Sequence, residues 1–234
     1  FSTQWQFRRG GVVPAEYERM MREVAEPALR RLEEMCAVEN ILRPAVVYGH
    51  FPCFASGNDL VILNDDQRGE RLRFTFPRQS AKESLCLSDY FAAENSGRID
   101  VVSFMAATVG PEISRRTHEL FADSHFQDML FLHGLGVESA EALAEYFHQQ
   151  VRRELGIAKD EPKDVLKLFH MHYRGCRYSF GYPACPELED QVKLFQLLEP
   201  ERIGLSLTES FQLEPEQSTT AVIVHHSQAK YFNI

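Results

Sequence analysis

The sequence predicts an α+β fold, and three observations carry that prediction. Helical and strand-like patterns come in blocks (a helix, strands, helices, a strand) and not in the alternating βαβ series of a parallel sheet. The first two strand-like stretches, 44–51 and 59–63, are joined by Ser56-Gly57-Asn58-Asp59, which has the composition of a tight turn and predicts an antiparallel hairpin. The next stretch, "RLRFTF" at 71–76, alternates polar and apolar residues as a strand with one solvated face does.

Taken in order, residues 14–38 place Tyr17, Met20, Met21, Val24, Ala28, Leu32 and Met35 three or four apart, one apolar stripe on a long helix. Pro14 suits its first turn and Pro27 predicts a kink. After the three strands, "RIDVVSFMAATVG" (98–110) reads as a more buried strand. Residues 111–133 form a predicted helix opened by Pro111-Glu112, and 138–155 a second one stopped by Gly156, with Gly134-Leu135-Gly136 between them. Residues 162–173 are predicted helical, as are 187–198, whose acids sit at the N-terminus. Residues 219–226 read as the closing strand, and 203–218 show no periodicity.

The 234 residues suffice for one large domain or two small ones, with no internal repeat or low-complexity stretch. No apolar run approaches the length of a membrane span. A net charge of −9 argues against non-specific nucleic-acid binding. The pairs Arg8-Arg9, Arg30-Arg31, Arg115-Arg116 and Arg152-Arg153 read as solvated helix faces. Five widely spaced cysteines, an odd number, fit reduced thiols and a cytoplasmic location. The start, "FSTQWQFRRGG", has neither an initiator Met nor a signal-peptide core, so the expectation is a fragment of a longer polypeptide.

Familiar chemistry is missing from the pattern. No GxGxxG follows a strand and there is no Walker A sequence. His170 and His172 point in different directions on a helix, His225 and His226 to opposite faces of a strand, and HExxH does not occur, so a metal site is not expected. No Ser/His/Asp set declares itself; Cys185 near a helix start is better read as packing than as an activated thiol. What stands out is 173–190, "YRGCRYSFGYPACPELED". Arg177 lies four residues before Gly181, and a guanidinium there suits a carboxylate or phosphate. Gly181 permits positive φ or close approach, Pro183 and Pro186 stiffen the chain, and Tyr182 offers a ring and a hydroxyl. These residues fit a small zwitterionic ligand with an aromatic part. They fit equally well a rigid inter-helix loop whose arginine caps the preceding helix.

That segment, with its RxxxGYPACP core, resembles the signature of the S-adenosylmethionine-binding activation domain of cobalamin-dependent methionine synthase. Four further blocks resemble the same family in the same order: "VVYGHFPCFASGNDLVIL", "LCLSDYFA", "AEALAEYFHQQVRRELG" and "LTESFQLEPEQSTTAVIVHHSQAKYF". The likeness runs from about residue 44 to the end. It implies that residues 1–234 are one such domain: single, curved, with a central antiparallel sheet and flanking helices. It implies a task as well: presenting S-adenosylmethionine as methyl donor for the reductive remethylation of cob(II)alamin, which reactivates methionine synthase in methionine biosynthesis. The implied partners are the cobalamin-binding module of that enzyme and flavodoxin or an equivalent electron donor.

Carried over residue by residue, Arg177 matches the arginine near the amino-acid end of the ligand, and Gly181, Tyr182, Pro183 and Ala184 match the loop that lines the site. Glu141 matches the first glutamate of the A-E-x-x-A-E helix, a candidate near the ligand's positive end, and Tyr231 the tyrosine of the closing K-Y-[YF] pair. The family's acidic ligand upstream of its first elements has no counterpart here. The acid that some members carry six residues before the motif arginine is Met171, and the second member of the closing pair is Phe232. The implied mechanism is positioning without a general base, so the isolated domain is expected to bind but not to turn over. An interaction module of the same fold serving another cobalamin protein is the alternative. An independent small-molecule methyltransferase would need a base or acceptor pocket that the sequence does not show.

Overall fold

The computed structural model describes residues 1–80, 83–159, 161–162, 164–169 and 171–234. Its centre is a six-stranded antiparallel sheet of β1 (Ala45–Ser56), β2 (Asp59–Leu63), β3 (Glu70–Thr75), β4 (Asp100–Thr108), β5 (Cys176–Ser179) and β8 (Ser218–Val224), in the order β3-β2-β1-β4-β8-β5. The expected hairpin is present, with Ser56 paired to Asp59. β1 runs on past the expected end at Phe51 and through Pro52. It can do so because β2 pairs only with Cys53–Ser56, which leaves that edge of the chain free at the proline.

The two-residue period of the strands sorts side chains onto two faces. Val47, Phe51, Cys53, Val102, Phe104, Ala106, Cys176, Tyr178, Val222 and Val224 enter the main core beneath α6 (Gln191–Leu198). Met105, Ala107 and Ile223 turn the other way, against Ala144 and Val151 of α4 (Phe126–Glu154). A third cluster around Trp5, Leu32, Cys36, Ile113, Phe131 and Leu132 joins the N-terminal segment, α2 (Glu26–Glu39), α3 (Glu112–Ala122) and α4. β6 (Ser206–Leu207) and β7 (Leu213–Glu214) form a separate two-stranded ribbon inside the stretch that showed no periodicity.

Several expectations are corrected. The break between the middle helices falls at Asp123–His125, and α4 continues through Gly134-Leu135-Gly136. A side chain at Gly134 would meet Gln4 and Trp5 within 3.0 Å, and one at Gly136 would lie 2.4 Å from Ile113. These glycines therefore permit close packing within one helix where a break between two helices is expected from the sequence, and that packing offsets their cost of about 1 kcal/mol each in a helix. The disturbance expected from Pro27 in the first helix is a π-helical turn at Met21–Ala25, between α1 (Pro14–Met20) and α2. A proline crowds the carbonyl four residues earlier, here Glu23, inside that turn.

The helix expected over 162–173 is reduced to α5 (Val165–Phe169) among the described residues, and His170 lies outside them. The closing strand ends at Val224, so His225 and His226 sit beyond it. Arg152, read as solvated, is 1% exposed, with its guanidinium 3.6 Å from the ring centroid of Tyr173 and an ion pair to Glu161. Its stacking and pairing are contacts that a charge count cannot register. No described helix is long and apolar enough to cross a membrane.

Candidate functional site

The segment singled out in the sequence folds first as β5 and then as a turn. It is thus an edge strand of the main sheet, and the reading of Arg177 as the cap of a preceding helix is corrected. Because Cys176 and Tyr178 point into the main core, Arg177 and Ser179 must point to the face occupied by α4. There Arg177 Nη2 donates to Glu141 Oε2 at 2.8 Å. Burial works against the guanidinium charge, but Glu141 outweighs it and keeps the group protonated. Arg177 Nη1 is buried and has no hydrogen-bond partner.

After β5 the chain reverses. Gly181 has φ +87° and donates its N–H to the Cys185 carbonyl at 2.9 Å, while the Cys185 N–H returns to the Tyr182 carbonyl at 2.8 Å. A left-handed residue is required at that point, and a Cβ there would also press on Leu188 at 3.0 Å. The turn leaves Tyr182 and Pro183 exposed and sends Ala184 and Cys185 into the main core. Ala184 is therefore core packing where a cradle wall was expected. Burial pushes the Cys185 thiol up and Cys176 up to about 11, so neither is an activated nucleophile.

Two cavities meet at the Arg177–Glu141 pair. A cleft of about 1020 Å³ is lined by Glu141, Ser179, Gly181 and Tyr182, with Thr219 and Thr220 from β8 and Gln191 from α6. Its other walls include α3, through Ser114 and His118, and the β6–β7 ribbon. A smaller hollow of about 270 Å³ is lined by Glu138, Glu141 and Glu145 from α4, with Met171, Tyr173, Arg177 and Tyr231. Glu141 borders both spaces. Pro183 lines neither, so the sequence-predicted residues that the structure brings together are Arg177, Gly181, Tyr182, Glu141 and Tyr231.

The hollow is acidic and aromatic. Glu138, Glu141 and Glu145 recur along one side of α4, as residues three and four apart do. Burial would raise the Glu145 carboxyl, but His148 and Arg152 beside it hold it below the usual range. His148 is fully buried, which pushes its imidazole down. Tyr231 is brought into place by its neighbours in the chain: Tyr178 Oη donates to the Lys230 carbonyl at 2.8 Å and its ring lies 5.5 Å from that of Tyr231. Burial pushes the Tyr231 hydroxyl up to about 12, so it remains a neutral donor. Phe232 turns into the main core beside Tyr90 and Tyr178, where a hydroxyl would not reach either cavity.

Sequence reasoning missed Ser179, Gln191, Thr219, Thr220, Glu138 and Tyr173. The polar run Ser218-Thr219-Thr220 at the head of an otherwise apolar strand was the one local signal for part of this set. Among the described residues no group of three or more His, Cys, Asp or Glu could hold a metal ion.

Comparisons with known proteins bear on this geometry. A family model described as "Vitamin B12 dependent methionine synthase, activation domain" matches residues 6–234. Methionine synthase of Mycobacterium tuberculosis (strain ATCC 25618 / H37Rv) is 43% identical, and that of Mycobacterium leprae (strain TN) 41% identical, each over 100% of this chain and 21% of its own length. The chain thus spans about a fifth of the length of these curated relatives. A crystal structure of the MetH reactivation domain bound to AdoHcy superposes with a TM-score of 0.86 at 28% identity, covering 98% of this chain and 74% of the other.

Proposed function

Since the chain belongs to the family of vitamin B12 dependent methionine synthase activation domains, we propose that it binds S-adenosylmethionine across the Arg177–Glu141 pair and presents the methyl donor for reactivation of a cobalamin enzyme. Residues 1–234 are read as that module of a longer methionine synthase polypeptide. The observation that carries the reading is the buried, unpartnered Nη1 of Arg177 at the hollow, whose other nitrogen holds Glu141, the residue that borders both cavities. A buried guanidinium N–H without a partner is costly, and a ligand carboxylate would satisfy it.

The residues present fit the ligand group by group. The acids of the hollow suit the positive charge of a sulfonium or an ammonium, and Tyr173 and Tyr231 add ring faces to it. The hydroxyls of Ser179 and Thr219 suit a ribose and a purine edge. Gly181 leaves the backbone at the turn open to close approach, and Tyr182, 60% exposed, stands at the rim of the cleft. A bound S-adenosylmethionine would supply a methyl group already activated at its sulfonium, for transfer to a cobalamin held by a separate module and reduced by one electron from flavodoxin or an equivalent donor, with AdoHcy left behind. This chain's residues bind and orient the donor and need not move a proton.

Titration calorimetry with S-adenosylmethionine or its demethylated product AdoHcy tests the proposal. Saturable one-site binding to the 234-residue chain is expected, with no methyl transfer by the chain alone. No heat with either ligand would overturn it and leave the interaction-module alternative.

A further inference from the structure

The cleft has a wall that does not belong to the main sheet. The β6–β7 ribbon is two residues wide in each strand, pairs Ser206 with Glu214 and Leu207 with Leu213, and reverses through Thr208–Gln212. Its strands lean on the main core through Leu207 and Leu213. Its tip closes on itself: Thr208 and Gln212 bond through the backbone at 2.9 Å, Thr208 Oγ1 accepts from the Gln212 N–H at 3.1 Å, and Phe211 is held at φ +61°. A ribbon this short has little stability of its own, so what anchors it sets where the wall stands.

The tip is anchored by Gln191. That side chain is 2% exposed, at the first position of α6, and both ends of its amide are used. Nε2 donates to the Phe211 carbonyl at 2.6 Å, and Oε1 accepts from Thr220 Oγ1 at 2.6 Å. Among the described residues this is the one side-chain hydrogen bond from the body to the tip of the ribbon. Thr220, itself 3% exposed, lies in β8 opposite Ala106. A single buried amide therefore links the central sheet, α6 and the ribbon wall, and Gln191 and Thr220 also line the cleft.

We infer that Gln191 is a positioning residue: it fixes the β6–β7 ribbon against the sheet so that the cleft is preformed for its ligand. The inference rests on the proposed function, since it takes the cleft as the binding site for S-adenosylmethionine. An amide suits this role where a carboxylate does not, because one end must donate to a carbonyl while the other accepts from a hydroxyl. Preforming the wall spares the ligand the entropy of ordering it.

The test uses AdoHcy as probe with wild-type protein, Gln191→Met and Gln191→Glu, read by calorimetry and by amide hydrogen exchange, at about pH 7.5 and about pH 5.5. Methionine keeps the volume and loses both hydrogen bonds. Binding is expected to weaken roughly tenfold, with faster exchange over 206–214 and unchanged protection in β1, β4 and β8. Glutamate keeps the acceptor for Thr220 but turns a second acceptor toward Phe211. Burial favours the neutral form of that carboxyl, and its protonation would restore a donor toward Phe211. Binding and ribbon protection should both recover at the lower pH in this variant alone. Asp190, the adjacent carboxylate, is paired to Lys193 at 2.6 Å, and wild type measured at both pH values controls for it.

Wild-type affinity in both variants, faster ribbon exchange without weaker binding, or a loss in Gln191→Glu that acid does not reverse would overturn the inference. Failure of the wild type to bind AdoHcy would instead overturn the proposed function, and the exchange of the ribbon would still decide what Gln191 does to the wall.

Discussion

The two cavities that share Glu141 are made of opposite materials. The small hollow holds three carboxylates, one guanidinium and two tyrosines, backed by the buried Arg152 and His148. The large cleft is floored by hydroxyls and amides from β5, β8 and α6. The difference follows from which element supplies each wall. One side of α4 delivers acids at helical spacing, whereas the cleft takes consecutive residues, Ser218, Thr219 and Thr220, from the hydroxyl-rich head of β8. A charged compartment binds through few strong, directional contacts. A cleft whose floor is hydroxyl and amide, with its carboxylates Glu214 and Glu216 on the ribbon side, binds through many weak contacts and through its shape. A ligand with an ionic end and a neutral end would use both, and that asymmetry can be tested by removing one contact at a time.

The largest effect is expected at the junction. Arg177→Ala should weaken S-adenosylmethionine binding by about a hundredfold or more, since it removes a charge-assisted contact and leaves Glu141 without its partner. Arg177→Lys should not restore it, because a point charge lacks the guanidinium fork. Calorimetry on the three proteins decides this, and equal affinities would erase the distinction between the two compartments.

A charge pair remote from both cavities should behave in the opposite way, changing stability and not binding. Burial would raise the Asp100 carboxyl, but the His225 ring at 3.2 Å and the Val101 and Ala92 N–H groups hold it down at about 2. A carboxyl depressed on folding contributes stability that is present above its unfolded pKa and is lost as pH falls through its folded value. Asp100→Asn should therefore cost about 2 kcal/mol at neutral pH, with the gap from wild type closing between about pH 4 and pH 2. Urea melts across that range would show it, and a loss of ligand affinity in the folded variant would contradict the separation.

A smaller effect is expected at the mouth of the hollow. Tyr231→Phe removes one half-exposed hydroxyl and should weaken binding by about threefold to tenfold. With that hydroxyl raised to about 12, Tyr231 should stay un-ionised up to about pH 10. Absorbance titration of the phenolate alongside binding measurements checks both statements.

The smallest effect on affinity is expected at Gly134→Ala. The new methyl would collide with Gln4 and Trp5, so the N-terminal segment should detach while α4 gains helix propensity. Trp5 is the single tryptophan, stacked on Phe131 at 4.3 Å, and its emission should shift to the red and the melting temperature should fall, with little change in binding.

Much of the fold was legible because it rests on local chemistry. The hairpin at Ser56–Asp59, the buried strand at Asp100–Thr108 and the helix ending at Leu198 all follow from turn residues and from periods of two or about three and a half. The site was legible in part. The order of Arg177, Gly181 and Tyr182 in one rigid segment left a ligand cradle and a plain rigid loop equally open, and the family resemblance favoured the cradle and added Glu141 and Tyr231. What was illegible depended on contacts between distant segments. Gly134 and Gly136 look like a break between two helices until Trp5 and Ile113 are seen against them. Arg152 looks solvated until Tyr173 and Glu161 cover it. Gln191 carries no local signal at all, because its partners lie 20 and 29 residues away.

By itself the sequence determined the class of fold, the register of its hairpin and the turn that ends β5, because these depend on backbone preferences and on the alternation of polar and apolar residues over a few positions. Only the tertiary structure decided that Arg177 faces α4 and not the core, that Ala184 packs inward, and that one buried amide holds a wall of the cleft. Each of these is settled by which elements pack together, and a side chain's environment is a property of all the segments that surround it.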